Sequence, residues 1–501
     1  MLRLTWVQPE DLLGHELRQA TQDGREPSAI AARWRAAGGE EAPLRAGASA
    51  EPASRYLRQL AEDLLDELAE LPSRLVDEEP TDLAKIKASC PAWPAPAAGS
   101  RAAGAAPDPK RGGTPSTPGR ATHPRPAPTQ AGLEAAWLGR ATGCLLGKPV
   151  EKLPLDGIRH LAKATGNWPL TTYFTAQGLP EDLATKYPWN RRSAKTSLAE
   201  NIDGMPEDDD LNYPLLNLLL LQRHGKTFTT TDVATLWLDE LPAGRTFTAE
   251  RIAYRNLLTG LEPPRTARHR NPFREWIGAL IRADIHGWTN PGNPAAAAEQ
   301  AHKDATLTHT ANGVYAAMFI AATIATAATA TTTGTDTDTD TDTDTDSATP
   351  DIHTALRTGL TVVPPASRLA QAIHHALQLA QTHEDFDTVV DELHATYSRT
   401  HHWVHAIPNT ALITAALTHA DGDFTGSICR AVSGGWDTDS NGATAGSIAA
   451  LLAGTPSALP HRWTAPLKNR LSTSIADFNG IGFDTLAHLT HALTPREAPR
   501  P

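Results

Sequence analysis

The chain is poor in the residues that mark secreted or membrane-embedded proteins. Its 501 residues include three cysteines, Cys90, Cys144 and Cys429, which lie far apart with no CxxC pair. This argues against a disulfide framework and a structural zinc site, and for a reducing cytoplasm. The N-terminus, MLRLTWVQPEDLLGHELRQ, lacks an apolar run flanked by basic residues, so no signal peptide is read. The most apolar candidate for a membrane span is AAMFIAATIATAATATTTG, Ala316 to Gly334. It is rich in alanine and threonine rather than leucine or valine and dissolves into a Thr/Asp tract, which predicts a buried helix. Positive charge is also short. With 45 Lys and Arg against 57 Asp and Glu, the formal charge is −12. That excludes broad binding along a nucleic-acid backbone.

Clean period-two alternation is scarce as well, whereas helical periodicity runs through most of the chain. The expected class is therefore all-α, as a compact multi-helix domain preceded by a small helical region. Residues 1–93 form that N-terminal region. In SRYLRQLAEDLLDELAEL, Leu57, Leu60, Leu64, Leu68 and Leu71 make one apolar stripe, with Ser54 as cap and Pro72 as stop. Residues 94–130 turn to proline, glycine, alanine and basic residues, the composition of a disordered linker. The main body spans 131–493, interrupted at about 327–349 by a low-complexity tract with six Thr-Asp repeats. That tract has nothing apolar to bury and repels itself, so it reads as an expanded surface loop.

Two acidic clusters precede apolar helices: Glu207, Asp208, Asp209 and Asp210 in PEDDDLNYPLL, and Asp437, Asp439 and Ser440 in GGWDTDSNGATAGSIAALLAG. Acidic residues are favoured at helix N-termini, so capping explains either cluster alone. Four consecutive acids exceed what a cap can use and repel one another unless a cation compensates. Short carboxylates drawn from separate parts of a fold are what a hard divalent cation requires. Gly434 and Gly435 suggest a tight turn presenting the second cluster. Gly442, Ala445, Gly446, Ala449 and Ala450 give the helix behind it a small-residue surface.

These segments resemble the ADP-ribosylglycohydrolases. The likeness runs from about Gly132 to about Gly454 and includes GRATGCLLGKPVEKLP, PEDDDLNYPLL, IGALIRADIHGW, LTHTANGVYAAMFIAA and, most specifically, GGWDTDSNGATAGSIAALLAG. It implies two Mg²⁺ or Mn²⁺ ions held by Asp208, Asp209, Asp437 and Asp439, with Glu207 and Ser440 at positions where the family commonly has threonine. Asp210 also replaces a common threonine, as a supporting acid or a helix cap. Glu151 fits the catalytic or water-positioning glutamate; without the family context it reads as a solvated acid beside Lys148 and Lys152. Substrate contacts are implied for Gly278, His309, Asn312, Gly313, Gly435 and Trp436, and Ile277 stands where many members have asparagine.

The implied activity is metal-dependent hydrolysis of the bond between ADP-ribose, or a related ribosyl group, and an acceptor, without a covalent enzyme intermediate. Two other readings stay open: hydrolysis of a small N-riboside or NAD-derived metabolite, and a catalytically silent ADP-ribose-binding module. The partner is then an ADP-ribosylated protein or a small ribosyl substrate. Oligomeric state and the role of residues 1–93 (acceptor recognition, packing on the body or self-association) stay undecided.

Overall fold

The computed structural model describes residues 3–41, 47–95, 128–329 and 351–495. The interior of the expected linker and the Thr/Asp tract lie outside these residues. The described residues form twenty-two α-helices and seven short 3-10 helices. Extended pairing among them is confined to isolated bridges, Met205 with Leu471, Trp276 with His405, and Leu471 with Ile481. The fold is all-α.

The stretch weighed as a membrane candidate falls, as far as residue 327, in a central helix, and its end from residue 330 lies outside the described residues. Ala311–Ala327 is buried along its whole length, and a helix apolar all round belongs in the middle of a bundle. Pro294–Ala305, Ile352–Leu360 and Asp284–Trp288 surround it. No described helix is long and apolar enough to cross a membrane.

A second pairing sets the site. Helices Gln130–Gly147 and Thr438–Ala453 run antiparallel with their backbones touching. A Cβ on Gly143 would lie 1.9 Å from the Gly442 carbonyl oxygen, one on Gly139 2.3 Å from that of Gly446, and one on Gly147 2.2 Å from that of Thr438. The Thr438 hydroxyl donates to the Gly147 carbonyl at 2.8 Å. Only hydrogen side chains permit this approach. It brings the C-terminal end of the first helix, with Lys148 and Glu151 just beyond, against the acidic start of the second.

The N-terminal region packs on the body. Its helix Arg55–Glu70 starts at Ser54, whose hydroxyl accepts from Leu57 N–H at 3.2 Å. Leu64 and Leu68 are fully buried, while Leu57, Leu60 and Leu71 are partly so. Buried Arg274 of the body grips Glu16 through two bonds of 2.6 and 2.9 Å. Arg270 reaches Glu62 and Asp66 at 2.7 and 2.8 Å, and the Trp6 ring meets those of Phe273 and Trp276 edge-on at 5.4 and 5.8 Å. All three cysteines are free and buried.

Candidate metal and catalytic centre

Helix Asp209–His224 begins at Asp208, whose carboxylate caps it by accepting the Asp210 N–H at 2.9 Å. The capping explanation thus holds for one member of the cluster. Asp210 faces away from the cavity toward fully buried Arg140, which donates to the Asp210 carbonyl at 2.7 Å and approaches its carboxylate at 3.4 Å. Arg140 also pairs with Asp284 at 2.6 Å. This buried guanidinium ties the opening helix to the acidic start, so the two cannot drift apart without stranding charge.

The second start follows a sharp turn. Gly435 and Trp436 have φ of 80° and 57°, a left-handed pair in which glycine relieves strain at one position. Trp436 stacks on His394 with ring centroids 4.2 Å apart, and the Asn409 side-chain oxygen accepts Asp437 N–H at 3.2 Å. The turn therefore delivers Asp437, Asp439 and Ser440 inward, while Gly435 and Trp436 stay outside the cavity lining.

Glu151, Asp208, Asp209, Asp437, Asp439 and Ser440 line one cavity of about 370 Å³. One oxygen from each of Glu151, Asp437 and Asp439 lies within 4.8 Å of the others. Glu151 is oriented on both sides, by Asn190 N–H at 2.7 Å and the Lys152 ammonium at 2.7 Å. Burial, then repulsion from Asp439 and Glu151, pushes the Asp437 carboxyl well above the usual range. Asp439 is raised to about 7 by burial first, then Glu151 and Asp208. Asp209 is raised by burial, then Asp208 and Asp439. Asp208 goes the other way. Burial would raise it, but the Lys148 ammonium in direct contact lowers it. Crowded carboxyls pushed upward mark a place where positive charge is wanted, and their oxygen donors suit a hard divalent cation.

The remaining expected residues divide. Glu207 lines the cavity but is engaged by Arg245 at 2.8 Å and by the Ser474 hydroxyl. Gly278 lines the wall, where a Cβ would lie 2.1 Å from the Glu250 carboxylate. His309, Asn312 and Gly313 are not at the cavity. His309 is fully buried, bonded to Thr308 at 2.6 Å and held neutral by burial. Asn312 donates to Glu79 of the N-terminal region at 2.8 Å and accepts Leu369 N–H at 3.0 Å. Gly313 packs on the Arg274 backbone. Docking of the N-terminal region takes up the Asn312 amide at this helix start.

Sequence reasoning gave Lys148 only as a neighbour of Glu151 and passed over Asn190, Asn409 and Trp6. The contact of Lys148 with Asp208, 60 residues away, carries no signal in the sequence. Asn190 and Asn409 carry no spacing signal, because their partners are distant in sequence. Trp6 lines the cavity because Arg251 holds the Thr5 carbonyl and hydroxyl at 3.0 and 2.8 Å.

None of the curated proteins matches the chain. A solved structure described as an ADP-ribosylglycohydrolase-related protein complex is 19% identical and aligns with a TM-score of 0.43, covering 73% of this chain and 99% of the other. The profile of the ADP-ribosylglycohydrolase family matches residues 126–497. That match takes in both acidic helix starts and Glu151 and extends over well more than half of the sequence, so the chain belongs to the ADP-ribosylglycohydrolase family and is a glycoside hydrolase.

Proposed function

We propose that the protein hydrolyses the glycosidic bond joining ADP-ribose, or a related ribosyl group, to an acceptor, and that it does so with Mg²⁺ or Mn²⁺. The observation that carries this reading is the convergence of Glu151, Asp209, Asp437 and Asp439 on one cavity of about 370 Å³. Cleavage at the anomeric carbon builds positive charge on the ribose ring. Carboxylates fixed around that carbon stabilise the charge more than water would, because they need no reorientation as it develops. Glu151 is the residue best placed to orient or deprotonate a water. Asn190 holds one of its oxygens and Lys152 the other, which keeps the carboxylate in a single rotamer facing the two aspartates.

Asp437, Asp439, Glu151 and the Ser440 hydroxyl are the groups that would hold a divalent cation. When bound, it supplies the charge that orients ribose hydroxyls and acidifies a water. Arg192 and Arg245 on the same cavity offer guanidinium groups to a diphosphate, whose planar, bidentate pairing favours arginine. Phe247, Trp403 and Trp6 add apolar rings to the wall for the less polar part of a nucleotide.

The test is a hydrolysis panel with Mg²⁺ and Mn²⁺ over Arg-, Ser- and thymidine-linked ADP-ribose, with free nucleotide ribosides alongside. Release of ADP-ribose from a conjugate is expected, and Asp437→Ala and Asp439→Ala should each lower the rate about 100-fold or more. Full activity and unchanged metal affinity in either variant sinks the reading. Turnover of the free ribosides alone assigns the enzyme to a small metabolite instead.

A further inference from the structure

Residues 1–93 precede the stretch that carries the family match, yet one of them reaches the catalytic cavity. Trp6 lines it together with Phe247, Ile277, Trp403 and Val404. The chain pins Trp6 from several sides. Its ring meets those of Phe273 and Trp276 edge-on at 5.4 and 5.8 Å and lies 6.0 Å from the His15 ring. Its N–H donates to the Gly47 carbonyl at 2.5 Å, and a Cβ on Gly47 would fall 2.3 Å from the indole, so the backbone there lies directly against the ring. At 8% exposure only a small part of Trp6 is left open. Its φ of 65° is a left-handed backbone that a bulky residue rarely adopts. Such strain persists only where the surroundings over-determine it, and it clusters at ligand sites.

We propose that residues 1–93 complete the substrate site, with Trp6 as the wall that receives the planar base of the nucleotide and so selects the substrate. This rests on the ADP-ribosyl reading above, and it gives the N-terminal region a role in substrate selection rather than in capture of a separate acceptor protein. The cavity has an acidic part and an apolar part. Glu151, Asp437 and Asp439 crowd within 4.8 Å of one another, whereas none of the ring neighbours of Trp6 is an acid of that centre. Carboxylates suit ribose hydroxyls and offer an uncharged base little. An indole offers any base a flat face or edge to pack on, whatever the pattern of donors and acceptors around the base.

The wall is tied to the body before any ligand arrives. Arg251, in the helix Thr248–Leu258 that follows Phe247, holds the Thr5 carbonyl and hydroxyl at 3.0 and 2.8 Å. The residue before Trp6 is thus fastened to the element that supplies a second ring of the wall. Ile277 N–H donates to the Val404 carbonyl at 3.0 Å, which joins the two body segments that flank it. Further along, Glu16 and Glu79 lock the region down through Arg274 and Asn312. A wall placed in advance costs little ordering entropy when the ligand binds, so a docked region sharpens selection more than a loose arm would.

The experiment is a titration of the full-length protein, labelled with 5-fluorotryptophan, with ADP-ribose and with ribose 5-phosphate, which lacks the base. Fluorine NMR reads the Trp6 resonance, assigned through Trp6→Phe. ADP-ribose is expected to shift that resonance and ribose 5-phosphate to leave it in place. Trp6→Ala should weaken ADP-ribose about 10-fold or more and leave ribose 5-phosphate unchanged, and Trp6→Phe should keep most of the affinity. If Trp6→Ala does not fold, the wild-type resonance decides alone. Equal weakening of both ligands in Trp6→Ala shows a structural role and overturns the proposal. A Trp6 resonance unmoved at saturating ADP-ribose also overturns it while leaving the hydrolase reading standing. No binding of ADP-ribose by the wild type overturns the ADP-ribosyl reading and this proposal with it.

Discussion

The two acidic helix starts look alike in sequence and differ in what surrounds them. At Asp208–Asp210 the fold brings three cations or weak donors, Lys148, Arg140 and the Cys144 thiol, against the carboxylates. At Asp437–Asp439 it brings another acid, Glu151, and leaves the aspartates facing one another. At the first start Asp208 and Asp210 meet a cation while Asp209 faces the cavity without an ion pair among the described residues. At the second start neither aspartate has an ion pair among the described residues, which is why the proposed cation is placed there. An acidic helix N-terminus is therefore not itself a metal site; what counts is whether the neighbouring elements have already answered it.

Removing the guanidinium on the anchored side should have the largest effect. Arg140→Met leaves Asp284 and the Asp210 carbonyl without their fully buried partner. A loss of about 3–5 kcal/mol in denaturant unfolding is expected. Asp437→Asn, in contrast, should cost metal affinity and rate without lowering the stability of the metal-free protein, since it removes a repulsive charge. If Asp437→Asn unfolded the protein as readily as Arg140→Met, the distinction between anchor and site would be lost.

Gly143→Ala sharpens the comparison by moving the two starts relative to each other. The added methyl would meet the Gly442 carbonyl at 1.9 Å, and the helices must separate. A cost of about 1–3 kcal/mol is expected, with a larger proportional loss of activity than of stability. A variant as active as the wild type would show that the spacing between Glu151 and Asp437 is not critical.

The smallest effect is a pH dependence. Asp439 rises from 3.8 to about 7 through burial, then Glu151 and Asp208. A carboxyl with a raised folded pKa binds its proton more tightly in the folded state. The metal-free protein should therefore lose stability as pH rises through that window, because the unfolded chain there binds fewer protons. Saturating Mg²⁺ or Mn²⁺ should abolish the loss, and Asp439→Asn should lack it. Thermal melts across the window, with and without metal, read all three. A metal-free melting difference between wild type and Asp439→Asn that does not change with pH contradicts the prediction.

Much of the fold was legible. The leucine stripe in Arg55–Glu70, its Ser54 cap and the buried alanine-rich helix follow from periodicity and composition, signals carried by neighbours in sequence. The small residues of Thr438–Ala453 announced a close contact, although not that Gly139, Gly143 and Gly147 would be the other half. The site was legible in part. Glu151, Asp208, Asp209, Asp437, Asp439 and Ser440 do meet in one cavity. Asn312 instead serves the docking of the N-terminal region, because Glu79, more than two hundred residues upstream, claims its donor, while His309 and Gly313 pack within the body.

The sequence by itself determined the class of the fold, the helices that carry the acids, and the chemistry that carboxylates at those helix starts can perform. These depend on local propensity, period and side-chain type. Only the tertiary structure decided which acids remain unanswered. Lys148 and Arg140 reach partners tens of residues away, and Coulomb interactions fall with distance in space rather than along the chain. An acidic helix start is met by Lys148 and Arg140 in one place and by another acid, Glu151, in the other, according to what is packed against it.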